Sequence, residues 1–466
     1  MTRDMSSATA FVPASARHLA VAAAAPPARW TGLQIALSVM LLTYVWRVQD
    51  IVFLLGKLQI TSLATIAALG FFFLGGAARA EARLRTPVMR MVVLILLLAC
   101  LSVPGGVYPG YSFRFIIEDH VKTVVFAVML AASIRSVRDV ERYALVHAAG
   151  AAVYCFTVLT RFQVQADGRL GGLFYYDAND LAMVLVCTFP LLVYLARPGP
   201  RTLLRLAVLP VMAMFVVTIV RTGSRGGFLG LLAVFAALLV GFTAVPRAHR
   251  IASVALVGVC LTVAGNDLFW GRLQTLLNPS EDYNWAGNSS GGRVEVWKRG
   301  VGYMVQRPLL GVGASAFGIA EGSISEMAAL HEVTGKGYKW SAAHNSFVQI
   351  GAELGFPGLI AFVAMLYFAF RLTRRLARDR AIPRAPPDAV ALGQVFFATL
   401  VGYSVTGFFL SQAFSAYLYS ILGIVVGLEA AAAGAIHAAP PPVAVPTTPR
   451  GRGGLIVARP HPVAGN

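Results

Sequence analysis

The sequence predicts an all-α polytopic membrane protein with about twelve transmembrane helices and one large loop region on its outward face. Three observations predict it. The 466 residues are 57% hydrophobic and only 13% charged, with a mean hydropathy of +0.69, well above the apolar share of an ordinary globular domain. Apolar stretches recur along the chain at about the ~20 residues that a helix needs to cross a ~30 Å hydrocarbon core. Ten-residue blocks of period-two alternation are not evident, which argues against a β-barrel.

Taken in order, the apolar spans are expected at roughly 31–46, 58–76, 88–104, 119–134, 143–161, 180–196, 206–220, 226–243, 251–268, 346–370, 391–410 and 413–435. Their orientation follows from Lys and Arg. With the N-terminus cytoplasmic, the connections at 79–85, 135–142, 197–205, 247–250 and 371–384, together with both tails, hold 23 of the 39 Lys and Arg residues, as the positive-inside rule requires of short loops. Both termini are therefore expected in the cytoplasm. The net charge of +18 would also suit nucleic acid, but no basic, aromatic-interleaved soluble segment carries it. The lipid bilayer is the expected partner and nucleic acid is not.

This divides the chain into a cytoplasmic tail (1–29), spans one to nine (30–268), a loop domain (269–345), spans ten to twelve (346–435) and a second tail (436–466). The first tail has a short Ala run broken by Pro26 and Pro27, too short and badly flanked for a cleaved signal peptide. The second is rich in Ala, Pro, Gly and Arg and reads as disordered. Cys100, Cys155, Cys187 and Cys260 all lie inside apolar spans, as small core residues and not as disulfides or metal ligands.

The loop between spans nine and ten is about 75 residues long, the one candidate for a folded extramembrane region. Its middle, "NSSGGRVEVWKRGVGYMVQRP", offers Ser289 or Ser290 as N-cap, apolar Val294, Trp297, Val301 and Met304 at helical spacing, and Pro308 as a stop. The pattern predicts an amphipathic helix lying on the membrane or packed over its mouth. The Gly-rich "LLGVGASAFG" that follows lacks the preceding strand and the spacing of a dinucleotide loop.

Basic residues at span ends are the chemical signal. Arg221 and Arg225 in "IVRTGSRGGFLG" stand where an arginine either snorkels to lipid phosphates or faces a polar cavity or partner. Gly223, Gly226 and Gly227 permit a tight turn and Ser224 can cap the helix beyond it. Arg225 then stands beside a helix N-terminus whose N–H groups already attract anions, which makes a phosphate site. Arg169 in "DGRLGGLFYYDANDLA" and Arg293 at the start of the amphipathic helix either join it or are surface charges. Arg272, Lys298, Arg299 and Arg307 are expected to be solvated or to face headgroups, and Arg114 and Lys122 to pair near Glu118, Asp119 and His120.

In "SAAHNSFVQIGAELGFPG", His344 stands immediately before a span and beside Asn345, whose amide can orient it. An imidazole there suits a general base that activates a hydroxyl; the alternative is an interfacial His bonded to a loop carbonyl. There is no Asp-x-Asp, Walker loop, Cys-x-x-Cys or His-Glu-x-x-His motif, which argues against nucleotide–metal transferases and zinc hydrolases. Asp177 and Asp180 are the nearest carboxylate pair, and Asn179-Asp180 reads as helix capping. No metal and no cofactor is expected.

"TGSRGG" opening a helix, "GGRVEVWKRGVGYMVQRPLLGVG" in one large outward loop and "AAHNSFVQIGAELGFPG" after it together resemble the O-antigen ligase and O-antigen polymerase superfamily, over roughly residues 168–358. "RLGGLFYYDANDLA" is similar to that superfamily's approach to its sixth span. The resemblance implies a metal-independent, inverting glycosyltransferase of the GT-C type. Such a protein moves a glycan from undecaprenyl diphosphate to an acceptor hydroxyl at the periplasmic face of the inner membrane, so the large loop would be periplasmic. It implies that Arg225 and Arg293 bind the diphosphate and act in catalysis, that His344 is the catalytic histidine and that Asn345 orients the acceptor. Arg169 and Arg221 are further candidates for diphosphate binding.

The acceptor is lipid A-core in a ligase and another lipid-linked repeat in a polymerase, while related enzymes glycosylate protein Ser or Thr. One long outward loop with the histidine at its end favours the ligase. From another class, a polysaccharide transporter or flippase would fit twelve spans, but transporters show two similar halves with interrupted helices near the bilayer midplane, and no internal repeat is visible here. A structural assembly subunit would leave the Arg and His constellation without a purpose.

Overall fold

The computed structural model describes residues 29–438 except 76, 166–168, 172, 174, 200, 279, 281, 283, 286–290, 336–339 and 379–385, and leaves out the side chains of 53 and 435–438. The first expected tail, the second beyond residue 438, and the Ser289 and Ser290 cap positions therefore lie outside the described residues. Among the described residues the fold is helical, with one isolated bridge between Val164 and Leu170 and no strand.

Each expected apolar segment falls on a helix. These are α1 (Gly32–Met40), α2 (Ile60–Gly75), α3 (Pro87–Ser102), α4 (Val121–Ser133), α5 (Val137–Arg161), α6 (Ala178–Leu195), α7 (Thr202–Thr222), α8 (Arg225–Gly241) and α9 (Arg247–Ala264). After the loop helix α10 (Arg293–Gln306) come α11 (Ser346–Leu376), α12 (Pro387–Gly407) and α13 (Ala416–Ala438). Caps set the starts: Thr31 with Gln34 and Ser136 with Asp139 form reciprocal capping boxes, and Thr86 caps α3 ahead of Pro87, whose missing N–H costs nothing at a first helical position.

By length and composition, α5, α6, α7, α9, α11, α12 and α13 can each cross a membrane. Ile60–Gly75 and Ala77–Leu84, which meet at 89°, add an eighth crossing if the pair is one span. That is fewer than the twelve crossings expected. The shortfall has local causes: α1 runs into a π turn at Leu41–Val45, the segment before α4 carries another at Ile116–His120, and α8 has only 17 residues.

The core is built around α6, which packs against α5, α7, α8 and α12, while α13 packs against α4. Nearly all of α6 is buried; α9, at the periphery, buries only Val257. α11 is broken at Gly355 (φ 71°, ψ −170°), two residues before Pro357. A proline cannot donate to the ladder, so the break frees carbonyls, and within hydrocarbon such groups need partners. The Gly-rich loop supplies them: Val312 and Gly313 donate to Ala352 O (2.9 Å) and Glu353 O (3.0 Å), and Phe356 donates to Pro308 O (2.8 Å). A Cβ on Gly311, itself at φ 61°, would lie 2.4 Å from Ala352 O. "LLGVGASAFG" is thus a strap that seals a broken helix.

α10 packs over the start of α11, burying Val296, Gly300, Tyr303 and Met304. This corrects the expected apolar face, of which Met304 alone is fully buried and Val301 is exposed. Gly300 sets the phase, because a Cβ there would lie 2.4 Å from Val348 Cγ1 and 2.9 Å from Phe317, so the line of closest approach runs through it. Arg299 is likewise not solvated: its guanidinium donates through both Nε and Nη2 to Glu321, which is 2% exposed and also accepts from Tyr303 Oη at 2.8 Å.

Candidate functional site

α7 ends as Gly223 enters the left-handed region (φ 58°). Ser224, extended, caps α8 by accepting the Gly227 N–H at 3.1 Å. Close packing fixes this turn, since a Cβ on Gly227 would lie 2.6 Å from Ala182 Cβ and one on Gly226 3.1 Å from Phe409. Arg225, the first residue of α8, is held against the long loop: Nη1 donates to Thr275 Oγ1 (2.6 Å) and pairs with the carboxylate of Asp282. Asp282 is nearly buried, and its Oδ1 accepts from Asn284 N (3.1 Å) and Nδ2 (3.0 Å). Burial pushes this carboxyl up, but the Asn284 N–H and the Arg225 guanidinium outweigh it and hold it below the usual carboxylate range.

The segment around Asp282 leads to α10. Val294 N donates to Asn284 O (3.2 Å) beside Arg293, the half-buried first residue of α10. Aromatic edge-to-face contacts roof the cluster: Trp285 against Trp297 (5.5 Å between centroids) and Phe409 (6.2 Å), and Trp297 against Phe408 (5.2 Å). Trp297 Nε1 donates to Ala343 O at 2.9 Å, which sets the second turn of α10 next to His344.

His344 takes a left-handed backbone (φ 47°), uncommon for a residue with a Cβ, and its N–H donates to Ser411 Oγ at 2.8 Å. Asn345 turns its Oδ1 to the Phe347 and Val348 N–H groups (2.9 and 3.1 Å). That oxygen caps α11. The turn after α12 is bound to the same place, since Ser346 Oγ donates to Leu410 O and accepts from Gln412 N. Gln412 Nε2 in turn reaches Asp180 Oδ1 at 2.8 Å. The cap of α6 is Asp177, whose Oδ1 accepts from Asn179 and Asp180, two residues earlier than the expected Asn179.

These contacts close a ring running from Arg225 through Asp282, Asn284, α10, Ala343, His344 and Ser411 to Phe409 and back to Gly226. Arg225, Arg293, His344 and Asn345 all stand on it. Arg169 and Arg221 stand together beside it: Leu170 N donates to Arg221 O (3.1 Å) and the exposed Arg221 reaches Leu159 O (3.5 Å). Arg169 lines a cavity of about 390 Å³ with Gln165, Tyr175 and Asp177.

Sequence reasoning missed Asp282, Thr275, Trp285 and Ser411. Asp282 had no motif to mark it, whereas the polar pair Ser411-Gln412 between two apolar spans was a visible signal read only as a boundary. Among the described residues, no three His, Cys, Asp or Glu side chains converge as a metal-ligand set.

Chemically, the ring offers an arginine at a helix N-terminus, a second at the start of α10, and a histidine whose backbone is fixed from both sides. Residues 210–363 match the family model described as O-antigen ligase, a span that contains every ring member from Arg225 to Asn345 but not Arg169 or the 408–412 turn. No curated protein matches the chain.

Proposed function

We propose, from the premise that residues 210–363 form an O-antigen ligase domain, that the chain is a ligase-type glycosyltransferase of the inner membrane. It would take a glycan from undecaprenyl diphosphate and join it to an acceptor hydroxyl, that of lipid A-core, at the periplasmic mouth of the helix bundle. What supports this reading most is that Arg225, Arg293 and His344 lie on one closed ring of contacts within the matched span.

The chemistry needs two functions from the protein. The bond between the anomeric carbon and the diphosphate oxygen breaks with its electron pair leaving on the diphosphate, so positive charge must meet the departing oxygens. Arg225 and Arg293 do this through charge-assisted hydrogen bonds, without a metal. The acceptor oxygen attacks the opposite face of the anomeric carbon as its proton passes to the His344 imidazole, which inverts the configuration. The Asp282 carboxylate already lies on the Arg225 guanidinium, so the incoming diphosphate either displaces it or uses the remaining donors of the fork.

Removing the gene and examining surface glycan on gels tests the proposal. A lipopolysaccharide core bare of polymer, with polymer accumulating on lipid carrier, agrees with the ligase. A core capped by one repeat reassigns the chain to the polymerase branch. Unchanged lipopolysaccharide refutes lipid A-core as the acceptor.

A further inference from the structure

A second feature lies at the opposite end of α7. α7 and α9 run in the same direction, each emerging from a basic segment, and between them is a cavity of about 280 Å³. On α7 its wall includes the helical stripe Arg205, Leu209, Met212 and Val216, on α9 a matching one, His249, Ser253, Leu256 and Cys260, and beyond the end of α6 it is closed by Arg197, which is already paired with Glu141 and Asp388. Both stripes keep the three-and-four spacing of one helix face. In both the only strongly polar residue is the first, and the two lie at the same end.

The dimensions indicate what fits. From Arg205 to Val216, and from His249 to Cys260, is eleven residues, about 16 Å of helix rise. That is about half of a ~30 Å hydrocarbon core, the depth of one leaflet. A partner's transmembrane helix would need a groove twice as deep. The charge indicates the rest. The carboxylates near this end, Glu141 and Asp388, are taken by Arg197 and Arg201; among the described residues neither Arg205 nor His249 has a carboxylate partner. α9 buries only Val257, so nothing else in the chain fills the groove from outside.

We propose that the groove between α7 and α9 binds one anionic phospholipid of a single leaflet, an acyl chain lying along the two stripes and the phosphate held by Arg205 and His249. Arg205 supplies a permanent charge and a planar fork, and a histidine donates in either protonation state. The proposal requires that the chain spans a membrane but does not depend on the transfer reaction.

The test is native mass spectrometry of the purified full-length protein with phosphatidylglycerol and phosphatidylcholine of the same acyl chains. One phosphatidylglycerol should stay bound several-fold more than phosphatidylcholine. Ala252→Phe, at an exposed position on the α9 wall, should fill the groove and abolish retention of the tight lipid. Arg205→Gln should erase the preference between the two lipids, and thermal melting of both variants checks that they fold. Equal retention of the two lipids by the native protein, or a preference that survives both folded variants, overturns the proposal. A change of oligomeric state in Ala252→Phe with lipid retention intact overturns it in favour of a second copy of the chain.

Discussion

The two ends of α7 are built on opposite principles. At the Arg225 end, a glycine turn, a 75-residue loop, the second turn of α10, the start of α11 and the turn after α12 are bound to one another by hydrogen bonds, an ion pair and ring contacts. At the Arg205 end α7 and α9 pack on each other around a cavity with largely apolar walls, and the peripheral α9 buries one residue. The first arrangement fixes polar groups before a ligand arrives, which stabilising charge in a transition state demands. The second supplies shape and a charge at the rim, which is enough to hold a hydrocarbon chain with an anionic head. The difference teaches that surroundings, rather than residue type, set the two arginines apart: Arg225 is held by Thr275 and Asp282, whereas Arg205 stands at the rim of a largely apolar groove.

Substitutions at one end should leave the other untouched, and that is the way to break the comparison. The largest effect is expected for His344→Ala: transfer should fall by about 10² to 10⁴-fold, the usual worth of a general base, with phosphatidylglycerol retention unchanged. Loss of bound lipid alongside activity would mean that the ends are coupled. Gly311→Ala should come next. It forces a Cβ against Ala352 O at a positive φ, costing about 2 kcal/mol, seen as a lower Tm and as reduced transfer because the strap that seals α11 also bears on the start of that helix. An unchanged Tm would mean that the strap carries no strain.

Asp282→Asn should have the smallest effect and the opposite sign. With the internal carboxylate gone, the Arg225 guanidinium meets the donor without competition, and KM for the donor should drop a few-fold at constant kcat. A fall in kcat would assign Asp282 to positioning Arg225 instead. The pH dependence sharpens this. Asp282 is held below the usual carboxylate range, so its stabilisation is fully present above the ordinary carboxyl pKa of ~3.9 and is lost only as pH falls through the depressed value. The difference between the native chain and Asp282→Asn should therefore be flat through neutral pH and vanish only in acid.

The helices were legible because a run of apolar residues of the right length has few other uses, and each of the twelve segments is helical. Arg225 and His344 were legible because charge and imidazole at the lip of an apolar run need a reason. What held them together was not. Asp282 lies 57 residues from Arg225 and Ser411 lies 67 from His344, and no local pattern encodes a contact over that separation. The buried face of α10 was misread because Gly300 counts as a gap in a hydrophobic pattern but is the point of closest approach in packing. The break in α11 had a visible sign, Gly355 and Pro357, but the groups that repair it come from the strap some forty residues earlier.

The central claim is that a guanidinium, not a metal, meets the departing diphosphate. Transfer of a polyprenyl-diphosphate-linked glycan should be measured in vesicles containing a chelator, with the native chain and Arg225→Ala side by side. The account predicts full turnover by the native chain and a loss of at least about 10²-fold in the variant. Turnover by Arg225→Ala near the native rate, or a native chain silenced by the chelator, would contradict it.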